Sequence, residues 1–280
     1  MKLKVYLEPF SEFMLTKSPL SFKIMRLFGR IPFVRRLGFD HNYLNALDEL
    51  SFSELKTKYD SREIVDTINA DGFCSGIAIS SGFLSYLIDM SKNNSFIDRK
   101  TGEGNFKFDF DGLINPGKGY IYSLLNPHKM NEKLAQFALQ EVKPIADAYL
   151  GADSVILNSQ VWVTFPDESN DYSPDFGFHY DLDDYRFLKL FIYLTDVDEE
   201  SGPHEIIKTS HKFNAFYRFF NRRLPDSLPK KYSANVQTML AKKGEGFFED
   251  TMCYHKGTRP IKPRAIFQLQ FALSDKSIEQ

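Results

Sequence analysis

The chain has 280 residues, 42% of them hydrophobic and 26% charged; a chain of this length buries roughly three quarters of its unfolded surface, so a full core is expected. Its 35 Lys and Arg nearly balance 37 Asp and Glu, which argues against nucleic acid as a partner, and no apolar run approaches the ~20 residues that span a bilayer. Two cysteines, Cys74 and Cys253, are too few for a disulfide scaffold, and the start lacks an apolar secretory core, so a cytoplasmic protein is expected. With 27 Phe and 14 Tyr, the interior should be β-rich and packed with aromatic rings.

Residues 1–60 read as an N-terminal helical arm and 61–280 as one main domain. In 18–38, apolar residues mix with Lys23, Arg26, Arg30, Arg35 and Arg36, and no acid occurs before Asp40. Such a segment either packs on the body as an arm or lies on an anionic membrane surface; Gly29 and Pro32 interrupt its helical pattern. Next comes a helix that Ser61 can cap and that stops at Asp71-Gly72. A strand, "FCSGIAI", and a helix closed by Asn93 and Asn94 follow. Residues 95–120 are loop-rich, and their glycines do not have the spacing of a phosphate-binding loop. The stretch 128–151 reads as a helix ending at Gly151, kinked or divided at Pro144.

After Gly151 the hydrophobic period drops from near 3.6 to 2. "SVILNSQVWVTF", "FLKLFIYLTDV", "GEGFFED" and "RAIFQLQFALS" are strands by alternation and by β-branched or aromatic content. Helices followed by a strand-rich half point to an α+β, mainly β fold: a double-sheet jelly roll. Asn158, Gln160, Trp162 and Thr164 share one strand face, opposite Val155, Leu157, Val161, Val163 and Phe165. Arg264, Gln268 and Gln270 likewise oppose Ala265, Phe267, Leu269, Phe271 and Leu273. Either the polar face lines a cavity while the N-terminal helices cover the apolar one, or the polar face meets water.

Among six histidines, His179 stands two residues before Asp181, so in extended chain both project to one side. His255, just before a turn and the strand bearing Arg264, can supply a third ligand from another strand. Two imidazoles and a carboxylate on one face of an octahedral ion leave three positions open, an arrangement suited to non-haem Fe(II) oxygenases. Arg264, nine residues past His255, can hold a dicarboxylate cosubstrate through a bidentate pair.

From about 62 to 274 the sequence resembles the phytanoyl-CoA dioxygenase-like group of Fe(II)/2-oxoglutarate-dependent dioxygenases. The blocks that carry the likeness are "INADGFCSGIAISSGFLSYLIDMSK", "GFHYD", "LFIYLTDVDEESGPHEIIKTSHK" and "GEGFFEDTMCYHKGTRPIKPRAIFQLQF", in that order. The resemblance implies a double-stranded β-helix (cupin-like) with helices on the outer sheet face. It implies Fe(II) held by His179, Asp181 and His255, and 2-oxoglutarate held by Arg264 with Gln160, Phe191 and Tyr193 near it. O2 is the further cosubstrate. Tyr180, Trp162, Asp183, Asp184 and Arg186 become candidate substrate contacts, His211 a structural residue and His204 a surface one. The implied reaction is hydroxylation of an unactivated carbon with release of succinate and CO2; desaturation and ring closure use the same iron. Asp181 stands where the related halogenases lack a carboxylate.

The loops 95–120, 166–178 and 212–240 are long enough to form a lid. The third clusters Lys212, Arg218, Arg222, Arg223, Lys230 and Lys231 with aromatics, which suits an anionic, carrier-linked or sugar-acid substrate as well as a solvated basic helix. A non-catalytic jelly-roll module and a zinc hydrolase are the competing readings. The first would be expected to lose part of the four-residue set, and the second gives Arg264 no task.

Overall fold

The computed structural model describes residues 19–47, 50–117, 119–166, 177–213, 215–224 and 230–274; most of the second expected lid loop, 167–176, lies outside them. Eleven strands are formed among these residues: β1 Leu55–Thr57, β2 Phe73–Ile79, β3 Ile97–Asp98, β4 Ile121–Leu125, β5 Val155–Thr164, β6 Phe187–Tyr193, β7 His204–Ile207, β8 Val236–Met239, β9 Glu245–Glu249, β10 His255–Gly257 and β11 Arg264–Ala272. Eight make an antiparallel sheet in the order β1-β2-β9-β6-β11-β5-β4-β3, and β10-β7-β8 make a smaller antiparallel one. Phe191, Tyr193, Phe247 and Ile266 of the large sheet meet Ile206 and Met239 of the small one, so the two sheets face each other as a jelly roll.

The outer face of the large sheet is apolar because helices cover it. Ile64, Val65 and Ile68 of helix Ser61–Asp71, Phe83 and Leu87 of helix Ser81–Asn93, and Ile145, Ala146 and Leu150 of helix Lys143–Leu150 pack on Val161, Val163, Leu188, Leu190, Ile192, Ala265, Phe267 and Leu269. Polar residues of β5 and β11 therefore turn inward, away from bulk water. The alternation breaks once. Register shifts between Gln270 and Phe271, where Asn158 is followed by Ile156 as partner, leaving Leu157 as the bulged residue. Ile156 consequently joins the helix-covered core, and Leu157, expected beside Val161, packs on the Tyr180 cluster instead.

Local chemistry refines several boundaries. Helix Ser61–Asp71 is capped by Asp60, not Ser61: Asp60 accepts from the Glu63 N–H while the Glu63 side chain accepts from the Asp60 N–H. Gly72 ends it at φ +92°, and a Cβ there would lie 2.1 Å from Cys253 Sγ, so only glycine lets this turn approach the strand end near the site. Pro144 has no N–H to give the preceding turn. The chain widens into a π-type turn at Ala138–Val142, with the Lys143 N–H donating to Ala138 O, so the expected kink is a bulge just before the proline.

The expected arm is tied to the body, and its end belongs to the sheet: β1 pairs with β2 along Leu55–Ile79. Arg35 donates to Asp250 Oδ2 at 2.8 Å and to Tyr185 O at 3.1 Å, and Tyr149 donates to the same Asp250 oxygen at 2.8 Å. Met25 of helix Pro19–Phe28 is buried against Tyr185, whereas Leu27, Phe28 and Phe33 are exposed. No described helix is long and apolar enough to cross a membrane.

Buried Glu141, in the π-type turn, fixes the start of β1. Its carboxylate accepts from the N–H groups of Glu54 and Leu55 and from Ser53 Oγ, at 2.6–3.1 Å. Glu141→Ala leaves these donors without their charged acceptor and is expected to lower stability by about 3 kcal/mol. Urea unfolding monitored by circular dichroism measures this; an unchanged midpoint would contradict the role assigned to Glu141.

Candidate metal centre

The short extended segment 178–181 lies between two others. His179 and His255 exchange backbone hydrogen bonds in both directions (His179 N to His255 O at 3.0 Å, His255 N to His179 O at 2.8 Å), and Asp181 N donates to Thr251 O at 2.8 Å. On its far side Leu224 N donates to Phe178 O at 2.8 Å. Directly paired residues in an antiparallel bridge point to one side, so both imidazoles and the Asp181 carboxylate converge. Nitrogen and carboxylate atoms of His179, Asp181 and His255 lie within 4.8 Å of one another, and among the described residues no other His/Cys/Asp/Glu cluster has this geometry.

Both imidazoles are oriented the same way. His179 Nδ1 is 2.9 Å from Gly177 O and His255 Nδ1 is 3.0 Å from Cys253 O, in each case the carbonyl two residues upstream. A carbonyl accepts only, so each Nδ1 carries the proton and each Nε2 offers its lone pair to the centre of the group. His179 Nε2 is 3.8 Å from Asp181 Oδ1, and His255 Nε2 is 3.7 Å from Asp181 Oδ2. Burial lowers the His255 pKa to about 4, which keeps the ring neutral, the form that binds metals. Burial alone would raise the Asp181 carboxyl; Lys189 and the two imidazoles outweigh it and hold the group ionised far below the ordinary range.

Arg264 opens β11 on the inward face, 8% exposed. Its Nη1 donates to Gly202 O, its Nε has no hydrogen-bond partner, and among the described residues no carboxylate forms an ion pair with it. A buried guanidinium lacking a counter-anion is costly, and a ligand carboxylate is the natural remedy. Further buried polar atoms on this inner side lack hydrogen-bond partners: His204 Nε2, both oxygens of Glu249, and Gln268 Oε1. These atoms outline a polar interior within an otherwise aromatic barrel.

The remaining expected residues divide. Gln160 and Phe191 both pair with Gln268 across the sheet, and Trp162 and Tyr193 both pair with Ile266, so all four share the inward face with Arg264. Trp162 Nε1 donates to Gln160 Oε1, and Tyr193 Oη donates to Met239 O at 3.0 Å. Asp183 accepts from Gln270 Nε2 at 2.9 Å beside the metal group. Tyr180 and Arg186, expected to touch substrate, point elsewhere. Residue 180 alternates away from 179 and 181, and its hydroxyl donates to Arg218 O at 2.6 Å inside a closed cluster. Arg186 is buried over the Phe39 ring, toward the arm, and Asp184 is buried too, accepting from Ser274 N.

Of the remaining histidines, His204 is not the surface residue expected of a turn. It is buried, its ring is stacked on His255 (5.2 Å, 17° between planes), and its Nε2 is 2.9 Å from Glu249 Oε2, off the line of a hydrogen bond. His204 begins β7 and pairs with Gly257, which turns it inward beside His255. His211 lies outside the group, with Nδ1 3.2 Å from Cys253 Sγ and Nε2 3.3 Å from Asn69 O, as a structural residue would. Sequence reasoning also passed over Glu249, whose carboxyl burial raises to about 7, and Lys189. A signal existed for both: each is a lone charge in a strand otherwise built of apolar residues and glycine, apart from the exposed Glu245 that opens β9.

No protein-family model matches the sequence, and no curated protein matches it. Solved structures do. EvdO2 from Micromonospora carbonacea var. aurantiaca, complexed with 2-oxoglutarate, is 17% identical over 78% of this chain and 93% of its own, with a TM-score of 0.54. The non-haem α-ketoglutarate-dependent epimerase SnoN from nogalamycin biosynthesis is 12% identical over 78% of this chain and 87% of its own, with a TM-score of 0.51. The carbocyclase SnoK of the same biosynthesis is 15% identical over 80% and 85%, with a TM-score of 0.50. The chain shares the double-stranded β-helix fold of these proteins, one solved with 2-oxoglutarate bound and two named as non-haem α-ketoglutarate-dependent enzymes.

Proposed function

We propose that the chain is an Fe(II)/2-oxoglutarate-dependent oxygenase of the phytanoyl-CoA dioxygenase-like kind that hydroxylates an unactivated carbon of a small molecule. The observation that carries this reading is one buried interior holding a two-histidine, one-carboxylate group and, on β11 of the large sheet, an arginine with no carboxylate partner among the described residues. His179, Asp181 and His255 would hold the iron, leaving adjacent positions for cosubstrates. When bound, Fe(II) with 2-oxoglutarate and O2 supplies the oxidant, releasing succinate and CO2.

The protein's part is placement and exclusion. Arg264 neutralises the distal carboxylate of the cosubstrate, its charge-assisted bonds strengthened by burial, and Tyr193 stands beside it. Phe191 and Phe247, with ring centroids 5.1 Å apart, each lie 5.4 Å from the His204 ring that stacks on His255, and would keep water from the reacting carbon. Gln160 and Trp162 continue the wall on β5. Asn158, Gln268 and Gln270 line the inner face with neutral amides rather than hydrocarbon, which favours a hydroxyl-bearing, sugar-like substrate over a bare alkyl chain. A zinc hydrolase would leave Arg264 buried without a purpose, and an inert module would have no need of the preset tautomers at His179 and His255.

The arm suggests where the enzyme works. Exposed Leu27, Phe28 and Phe33 sit among Lys23, Arg30 and Arg36 in a stretch with no acid from 19 to 39, a composition suited to an anionic bilayer surface. Phe33→Asp should abolish co-sedimentation of the full chain with phosphatidylglycerol-containing vesicles; equal sedimentation of variant and parent, or none by the parent, removes the membrane from the account.

For the cosubstrate site, Arg264→Met is expected to raise the 2-oxoglutarate concentration needed for half-maximal O2-dependent succinate formation by about 100-fold, the equivalent of roughly 3 kcal/mol of charge-assisted bonding. Arg264→Lys should recover only part of it, because an ammonium lacks the bidentate fork. An unchanged requirement in the Met variant would contradict the assignment.

A further inference from the structure

Beside the metal group lies a residue that neither the sequence motif nor the structural likeness singles out. Lys189 is the one charged side chain of β6 and is only 7% exposed. Its Nζ stands 2.7 Å from Asp181 Oδ2 and 3.3 Å from Asp183 Oδ2. Backbone pairing fixes it between Glu249 of β9 and Gln270 of β11 on the inward face. An ammonium this deeply buried needs carboxylate partners, and its two neighbours supply them.

We propose that Lys189 is a positioning residue that makes Asp181 a one-oxygen metal ligand. Its ammonium occupies Oδ2 and leaves Oδ1 for the ion. This rests on reading His179, Asp181 and His255 as a metal group, but not on 2-oxoglutarate. The arrangement is held from behind. Asp183 accepts from Gln270 Nε2 at 2.9 Å, Gln270 Oε1 accepts from Asn158 Nδ2 at 2.9 Å, and Asn158 Oδ1 accepts from Gln268 Nε2 at 3.0 Å. The ladder ties the segment before β6 to β11 and β5, so Asp183 cannot drift away and let Lys189 follow it.

The consequence is metal choice. A carboxylate with both oxygens free can bind through two of them, which Ca2+ accepts because it takes six to eight oxygen ligands in loose geometry. A small ion that requires near-octahedral geometry gains little from the second oxygen. By engaging Oδ2 and cancelling much of the Asp181 charge, Lys189 withholds from Ca2+ the contacts it needs while leaving a two-nitrogen, one-oxygen face for a transition metal.

The test titrates Mn2+ and Ca2+ into metal-free full-length protein by calorimetry, for the parent, Lys189→Met and Lys189→Arg, with near-ultraviolet circular dichroism to verify packing. In Lys189→Met the ratio of the Ca2+ to the Mn2+ dissociation constant should fall by about tenfold, because Asp181 can then bind through both oxygens. Lys189→Arg, which still donates to Oδ2, should keep a ratio near the parent's. If the Met variant fails to fold, Lys189→Gln, which is neutral but polar, takes its place with a fall of about threefold expected. A folded neutral variant with an unchanged ratio, or an Arg variant that behaves like Met, overturns the proposal. If the selectivity shift appears in a protein that does not bind 2-oxoglutarate, the oxygenase reading fails while the role of Lys189 stands; a parent that binds neither ion overturns both.

Discussion

The reciprocal backbone hydrogen bonds between His179 and His255 are the constraint on which the site depends. The two residues are 76 positions apart in sequence, and neither belongs to the large sheet. Their pairing brings one strand of the small sheet against the segment that leads to β6, so two imidazoles face each other with ring centroids 4.7 Å apart. Asp181 joins them because the same segment stays extended for two more residues and is anchored to Thr251. The metal group is therefore defined by main-chain geometry.

Around that pairing the molecule concentrates buried charge, and two of the charge clusters are ion-paired. On the inner side Lys189 balances Asp181 and Asp183, so a site that is to take a divalent cation does not also carry two naked carboxylates. On the outer side Arg35 balances Asp250 where β9 ends, with Tyr149 as a second donor, and this pair clips the arm to the body close behind the metal loop. Both are satisfied from at least two directions, the condition under which buried ion pairs are tolerated. Arg264 differs from both clusters: buried on the inner side without a carboxylate partner among the described residues, it stores an electrostatic demand that a dicarboxylate can meet.

Much of this was legible in the sequence because it depends on short periods. The long inward-facing strands betray themselves by alternation, and the His-x-Asp spacing puts two ligands on one side of extended chain whatever surrounds them. The polar faces of β5 and β11 were readable, yet their direction was not, since an alternating strand looks the same whether its polar side meets water or a cavity. Helices Ser61–Asp71 and Lys143–Leu150, packed on the opposite face, decide the matter. Strands of two to five residues such as β3, β4, β7 and β10 carry too few positions to show a period, and so the neighbours of His255 were hidden. His204 is the instructive case. As a residue after Pro203 it reads as part of a turn, and only the pairing of β7 with β10 turns it inward onto His255. Leu157 was misplaced for the related reason that a bulge adds a residue without leaving a mark in the pattern.

The inner wall combines aromatic rings near Arg264 with amides near Lys189, so the interior is graded from an aromatic end at Arg264 to a polar end beside the metal group. Such a gradient lets one chamber hold a dicarboxylate firmly while presenting a hydrogen-bonding surface to a second molecule. If the proposed function holds, one chamber binds metal and 2-oxo acid together. The direct measurement is anaerobic addition of Fe(II) and 2-oxoglutarate to metal-free protein, followed by visible absorption spectroscopy. A weak metal-to-ligand charge-transfer band that needs both components and disappears in Asp181→Ala is expected. Tight binding of Fe(II) with no band on adding 2-oxoglutarate would contradict the proposed function.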